Sequence, residues 1–139
     1  MLNTVLIDAG PIIALFDKDD KYHKDIINFI KDTKYKFITT TAVLTEVSFM
    51  LNFNVEVQIL FFEWVMREGV ILHEIGQRDI ARIIELTKKY KDIPMDFADA
   101  TLMLAAEQRG IKEIISLDSD FYIYRLPGKV MIKNIFKKK

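Results

Sequence analysis

Apolar residues recur along the chain in two rhythms, as short uninterrupted runs and as longer stretches at helical spacing. Residues 4–7 (Thr-Val-Leu-Ile) stop at Asp8-Ala9-Gly10-Pro11, which predicts a buried strand entering a helix. Pro11 suits the first turn of that helix, where its missing N–H costs nothing, and Ile12, Ile13, Leu15 and Phe16 follow. In the charged loop 17–20, Asp19 or Asp20 is placed to cap a second helix. That helix turns Ile26, Ile27, Phe29 and Ile30 inward and Lys24, Asp25, Lys31 and Asp32 outward. Residues 37–39 predict a second strand, and Thr40 or Thr41 a cap for a helix marked by Val43, Leu44, Val47, Met50 and Leu51. The next helix, about 55–67, is apolar nearly all round, with Ile59, Leu60, Phe61, Phe62, Trp64, Val65 and Met66. Such a helix is either buried or covered by a partner, and the stripe from Phe49 to Met66 is expected in the core ahead of a partner groove. Residues 70–74 predict a third strand, and 77–90 an amphipathic helix with Ile80, Ile83, Ile84 and Leu86. Pro94 breaks the chain, Asp96 opens a helix to Arg109, and Gly110 takes the position just past its end. Residues 114–117 predict a strand ending at Asp118, with a short helix at 121–124 that Asp120 can cap, and 130–132 a last strand.

Strands alternating with helices predict an α/β protein, a three-layer α/β/α arrangement around a central parallel sheet of about five strands, with residues 1–139 as one domain. Half of the residues are apolar and 29% charged, as in an ordinary folded core and unlike a disordered chain. Zero cysteines exclude a disulfide scaffold, a thiolate metal site and a cysteine nucleophile. The longest apolar runs, 12–16 and 102–106, fall far short of a membrane span, and the first residues show neither a basic nor a long apolar leader. A cytoplasmic protein without membrane contact is expected.

The 20 basic and 20 acidic side chains balance, but unevenly along the chain. From Arg125 to Lys139 there are six basic residues and no acid. The plainer reading of this tail is a solvated end. If four carboxylates gather around metal ions, however, the rest of the chain carries 20 positive charges against 16 negative (20 − 4). That suits a modestly cationic surface around an acidic hole.

Ligands of such sheets bind beyond the carboxyl ends of the strands, where strand order reverses. Asp8 and Asp118 each follow a predicted buried strand there, and like charges brought together are costly without a cation. Two more acids interrupt apolar helices. Glu46 has no Lys or Arg within five residues, so no helix partner accounts for it, and Asp99 stands between Ala98 and Ala100. Four hard oxygen donors suit Mg²⁺ or Mn²⁺, one or two ions; zinc is disfavoured because His23 and His73 lack ligand spacing. Each acid alone has a plainer role: strand-end Asp residues cap turns, and Asp96 and Asp120 read equally as helix caps. Asp17, Asp19 and Asp20 read as a solvated loop, and His23 as a surface helix residue. Ser116 either lends its hydroxyl to a metal-binding carboxylate or points out of its strand. The glycines form no phosphate loop, and no nucleophile elbow is present.

Taken in order, these motifs resemble a PIN domain, the metal-dependent nuclease fold of VapC-type toxins in toxin–antitoxin pairs. The resemblance rests on Leu6-Ile7-Asp8-Ala9-Gly10-Pro11, on the Asp-rich turn 17–23, on 41–51 with Glu46, on Pro94-Met95-Asp96-Phe97-Ala98-Asp99-Ala100, and on Ser116-Leu117-Asp118-Ser119-Asp120-Phe121. One departure is Ala9, where the family often has Thr or Ser, so a hydroxyl contact is absent there. The resemblance implies an endoribonuclease in which Asp8, Glu46, Asp99 and Asp118 hold the metal, with Asp96, Asp120 and Ser116 as secondary members. It implies an RNA substrate, a small antitoxin and a homodimer, with Lys88, Lys89, Lys91 and Arg125 as phosphate contacts. A nuclease of housekeeping RNA processing and a non-catalytic RNA-binding module of the same fold are the alternatives.

Overall fold

The computed structural model of the chain describes residues 3–93 and 95–137, with the backbone alone described at Ser119 and Asp120. Its strands are β1 (Thr4–Ile7), β2 (Lys36–Thr39), β3 (Ile71–Leu72), β4 (Glu113–Ile115), β5 (Arg125–Leu126), β6 (Val130–Met131) and β7 (Lys133–Asn134). The helices are α1 (Ala9–Phe16), α2 (His23–Asp32), α3 (Thr41–Met50), α4 (Val55–Met66), α5 (Ile80–Lys89) and α6 (Phe97–Arg109). Five strands form one parallel sheet in the order β3-β2-β1-β4-β7, an α/β arrangement with helices layered on it, as the alternation of elements predicts.

β1 is the central strand. Leu6 sits between Ile38 of β2 and Ile114 of β4, and Val5, Leu6 and Ile7 are wholly buried. Burial on both faces explains why this strand is continuously apolar and does not alternate. The chain steps outward from β1 to β2 and β3, then returns to the other side for β4 and β7. The reversal therefore falls between β1 and β4, and both strands run their carboxyl ends toward the same edge. α1 packs against α2, α3 and α4, while α5 packs on α6 and α6 meets α3.

Several boundaries differ from the sequence expectation. The third strand shrinks from 70–74 to two residues, and 77–90 divides into a 3₁₀ turn (Gln77–Asp79) and α5, with the Asp79 carboxylate accepting from Gly76 N at 2.8 Å. β4 ends at Ile115, because the Ser116 amide bonds to a side chain of β7; Asp118 thus stands three residues past the strand. The 130–132 segment is not a strand of the main sheet. As β6 it pairs antiparallel with β5 around a turn at Gly128, whose φ of 78° suits glycine. The fifth parallel strand is β7, a Lys-Asn pair with no apolar signature. The short helix expected at 121–124 is a 3₁₀ turn at Ser119–Tyr122, and its cap candidate, the Asp120 side chain, lies outside the description.

The caps also differ. α2 starts at His23 behind Tyr22 without a side-chain cap; Asp20 instead accepts from Tyr22 N at 2.8 Å, tightening the turn before the helix. Thr40 occupies the cap position of α3 but turns its hydroxyl to that of Thr101 on α6, 2.8 Å away. His23 is half-buried, its Nδ1 donating to Ala14 O at 2.7 Å, and so it fastens α2 to α1 and is no free surface residue. α6 follows expectation at both ends: Asp96 accepts from Asp99 N at 2.7 Å, and Gly110 closes the helix at φ 67°.

The larger correction concerns α4. It rests on α1 through Phe16, edge-on to Phe61 at 5.7 Å and to Trp64 at 5.4 Å, so only one stripe is covered. Phe61 is fully buried, but Phe49 is 69% exposed and Met66 71%, with Phe53, Leu60 and Phe62 exposed beside them. The stripe expected in the core is mostly on the surface. Among the described residues no helix is long and apolar enough to cross a membrane.

Candidate active site

Asp8 is set by β1 and α1 together. Its backbone N–H continues the sheet by donating to Ile115 O at 3.0 Å, while its side chain caps α1, Oδ1 accepting from Ala9 N at 2.8 Å. The other oxygen, Oδ2, accepts from Ser116 Oγ at 3.2 Å. The same Ser116 oxygen accepts from Asp118 N at 2.9 Å, so one hydroxyl joins the ends of β1 and β4. Ser116 is fully buried and faces the acids.

Asp99 lies in the first turn of α6 behind its cap, Asp96. It is buried, and Oδ2 accepts from the phenol of buried Tyr124 at 3.1 Å. Glu46 projects from α3 and is exposed. Asp8, Glu46, Asp96, Asp99 and Asp118 all line one open cleft of about 440 Å³, floored by Ala9, Gly10 and Leu117. The cleft lies at the carboxyl edge of the sheet, at the strand reversal.

Charge in the cleft is unbalanced. Burial pushes the Asp8 carboxyl up to about 6 against the pull of its bonds from Ala9 and Ser116, and the charges of Glu46 and Asp118 add to the rise. Burial pushes Asp99 up to about 7; Asp96, Asp8 and Asp118 raise it further, while the Tyr124 bond opposes. Glu46 is raised too, by burial first and then by Asp96 and Asp118.

Among the described residues, no group of three or more His, Asp or Glu side chains is arranged as it stands to hold a metal ion. The chemistry of the donors nevertheless fits a hard divalent cation. Every titratable wall group is a carboxylate, and the charged forms of Asp8 and Asp99 are disfavoured first by burial and then by the neighbouring acids, a combination that a bound cation would offset.

Two supporting residues escaped the sequence reading. Tyr124 carried no signal beyond an aromatic near the closing motif. Asn134 belongs to the unrecognised strand β7, and its amide holds the backbone of Ser116 from the far side, with Nδ2 donating to Ser116 O at 2.8 Å. Of the basic residues, Lys88, Lys89 and Lys91 are exposed at and just beyond the end of α5. Arg125 is half-buried, and its guanidinium donates to the carbonyls of Tyr122 and Tyr124.

A parallel sheet with acids gathered at its point of reversal defines an α/β protein with an acidic cleft at the usual ligand position of such folds. The chain belongs to the PIN domain family, whose sequence model matches residues 5–126. Its fold is that of VapC toxins. VapC20 of Mycobacterium tuberculosis, described as a sarcin–ricin loop cleaving toxin, matches with a TM-score of 0.75 over 84% of this chain and 91% of that one, at 17% identity. VapBC2 of Rickettsia felis, bound to a DNA fragment from its promoter, matches with a TM-score of 0.65 over 94% and 98%, at 11% identity. No curated protein matches significantly in sequence.

Proposed function

We propose that the chain, as a single domain, is a Mg²⁺- or Mn²⁺-dependent endoribonuclease and the toxin of a toxin–antitoxin pair. The observation that carries this reading is the convergence of Asp8, Glu46, Asp99 and Asp118 on one cleft in a PIN-family chain. These four residues would hold one or two ions, with Asp96 at the rim serving first as the cap of α6. Bound there, a divalent ion supplies Lewis acidity toward the scissile phosphate and toward an attacking water.

The chain's own residues prepare for that charge. Ser116 fixes the Asp8 carboxylate and ties it to the backbone of Asp118. Tyr124 fixes Asp99 from below and favours its ionised form. Lys88, Lys89 and Lys91 offer contacts to the RNA backbone, whereas Arg125 has already committed its guanidinium to carbonyls. The exposed apolar residues of α3 and α4 supply a surface for a second copy or for a small antitoxin, and VapBC2 is a precedent for a PIN-fold chain in such a pair. The cytoplasm is the proposed compartment.

The test is cleavage of a mixed RNA pool by purified protein in Mg²⁺ or Mn²⁺ against EDTA, alongside Asp8→Asn. Metal-dependent cleavage that is lost in the variant supports the proposal. Wild-type turnover by Asp8→Asn overturns it.

A further inference from the structure

A second cleft, about 390 Å³ in volume, adjoins the acidic one and shares two of its walls, Glu46 and Asp96. The rest of its lining is Ala42, Thr45, Phe97 and Ala98, so the space beside the acids is floored by an aromatic ring and two methyl groups. Phe97 is 55% exposed although it opens a helix in which residues 99–106 are all buried. The helix does not need this ring: its first turn is capped by Asp96, and its packing against the core begins at Ala98.

The charge of the shared walls limits what can enter. The lining offers no cation to a second phosphate, so the group that suits Phe97 is uncharged, flat and apolar on its face while tolerating a polar rim. A nucleobase meets all of these conditions, and the shared walls put it beside the acids that would hold a divalent ion and, through it, the scissile phosphate. Stacking of a base on an exposed aromatic side chain is a general means of holding single-stranded RNA.

We propose that Phe97 forms a base-stacking subsite in which the nucleobase next to the scissile phosphate lies in the cleft of Ala42, Thr45, Phe97 and Ala98. The subsite deepens the nuclease reading and rests on it. It takes a base that is unstacked from its neighbours, since a base within a duplex has no free face to offer. Phe97 acts here as a binding residue and leaves the chemical step to the acids.

The experiment is fluorescence anisotropy of labelled single-stranded oligoribonucleotides of random sequence on the full chain, in Ca²⁺ to fill an oxygen site. Wild type, Phe97→Ala and Phe97→Trp are compared on base-bearing RNA and on an abasic strand of the same length. Phe97→Ala is expected to weaken binding of the base-bearing strand at least about fivefold, Phe97→Trp to retain it, and the abasic strand to bind both variants alike. Thermal melting of Phe97→Ala is expected to match wild type, which separates lost stacking from lost folding. Equal binding by wild type and Phe97→Ala overturns the subsite and leaves the nuclease reading standing. No binding of RNA by the wild type overturns both.

Discussion

The side-chain amide of Asn134 brackets the backbone of Ser116. Oδ1 accepts from Ser116 N at 3.3 Å while Nδ2 donates to Ser116 O at 2.8 Å, and Oδ1 also accepts from Phe136 N at 3.1 Å. Asn134 thereby takes over the ladder where β4 stops, and holds in place the hydroxyl that touches Asp8 and Asp118. Asn134→Ala is expected to lower cleavage by about tenfold or more, the range found when groups supporting a metal ligand are lost, with most of the fold retained. Circular dichroism and RNA cleavage on the same preparation check this; unaltered cleavage would show that Ser116 keeps its place without the amide.

Asp8→Asn has two expected effects of opposite sign. Cleavage disappears, because an amide is a poor ligand for a hard cation. The metal-free protein is expected to melt higher than wild type at pH 8, because burial no longer works against a charge at this position. Differential scanning fluorimetry in EDTA reads the second effect without any activity.

The pH dependence of the metal-free protein follows from the same carboxyls. Asp8 and Asp99 have folded-state pKa values of about 6 and about 7, above the 3.8 of an unburied aspartate. Between 3.8 and about 7 the folded state binds more protons than the unfolded one, so these groups lower stability as pH rises through that window and add nothing further above it. Melting temperature in EDTA is expected to fall from pH 5 to pH 8, and Mn²⁺ to restore it at pH 8. A melting temperature that rises over this range counts against the buried, unneutralised pair.

Tyr124→Phe removes the phenol that favours the ionised form of Asp99. If cleavage requires ionised Asp99, the acid limb of its pH profile moves to higher pH, while activity well above that limb stays near wild type. A uniform loss at every pH would instead indicate that Tyr124 acts through packing against Tyr90 and Phe121.

For association, the exposed face of α4 is the part to perturb. Leu60→Glu places a charge on a residue that is 57% exposed and carries little of the core. Light scattering is expected to show a homodimer for wild type and a monomer for Leu60→Glu, with cooperative melting preserved in both. A wild-type monomer would rule out self-association through this face.

The fold was legible where sequence and burial obey one rule. β1 reads as a strand because both of its faces are covered, and α6 reads from cap to cap because Asp96 and Gly110 each solve a local backbone problem. β7 was illegible: Lys133 and Asn134 are polar, and their pairing with Glu113 and Ile114 is dictated by position at the sheet edge. α4 was legible as a helix but not as a surface, since periodicity cannot say how many neighbours arrive to cover it. The acids of the cleft stood out as charges in apolar surroundings. Their supports, Tyr124 and Asn134, did not, because a buried phenol or amide looks ordinary until its partner is known.

Trp64 has a consequence of its own. It is the chain's one tryptophan, and it stands half-buried against Gly69, where any side chain would collide with its indole nitrogen. On the same helix as the bare Phe62 and Met66, it is an intrinsic fluorophore at the border of the uncovered face. Whatever settles on that face will dry the indole's surroundings and shift its emission toward the blue, so the molecule carries an unlabelled optical reporter of its own occupancy.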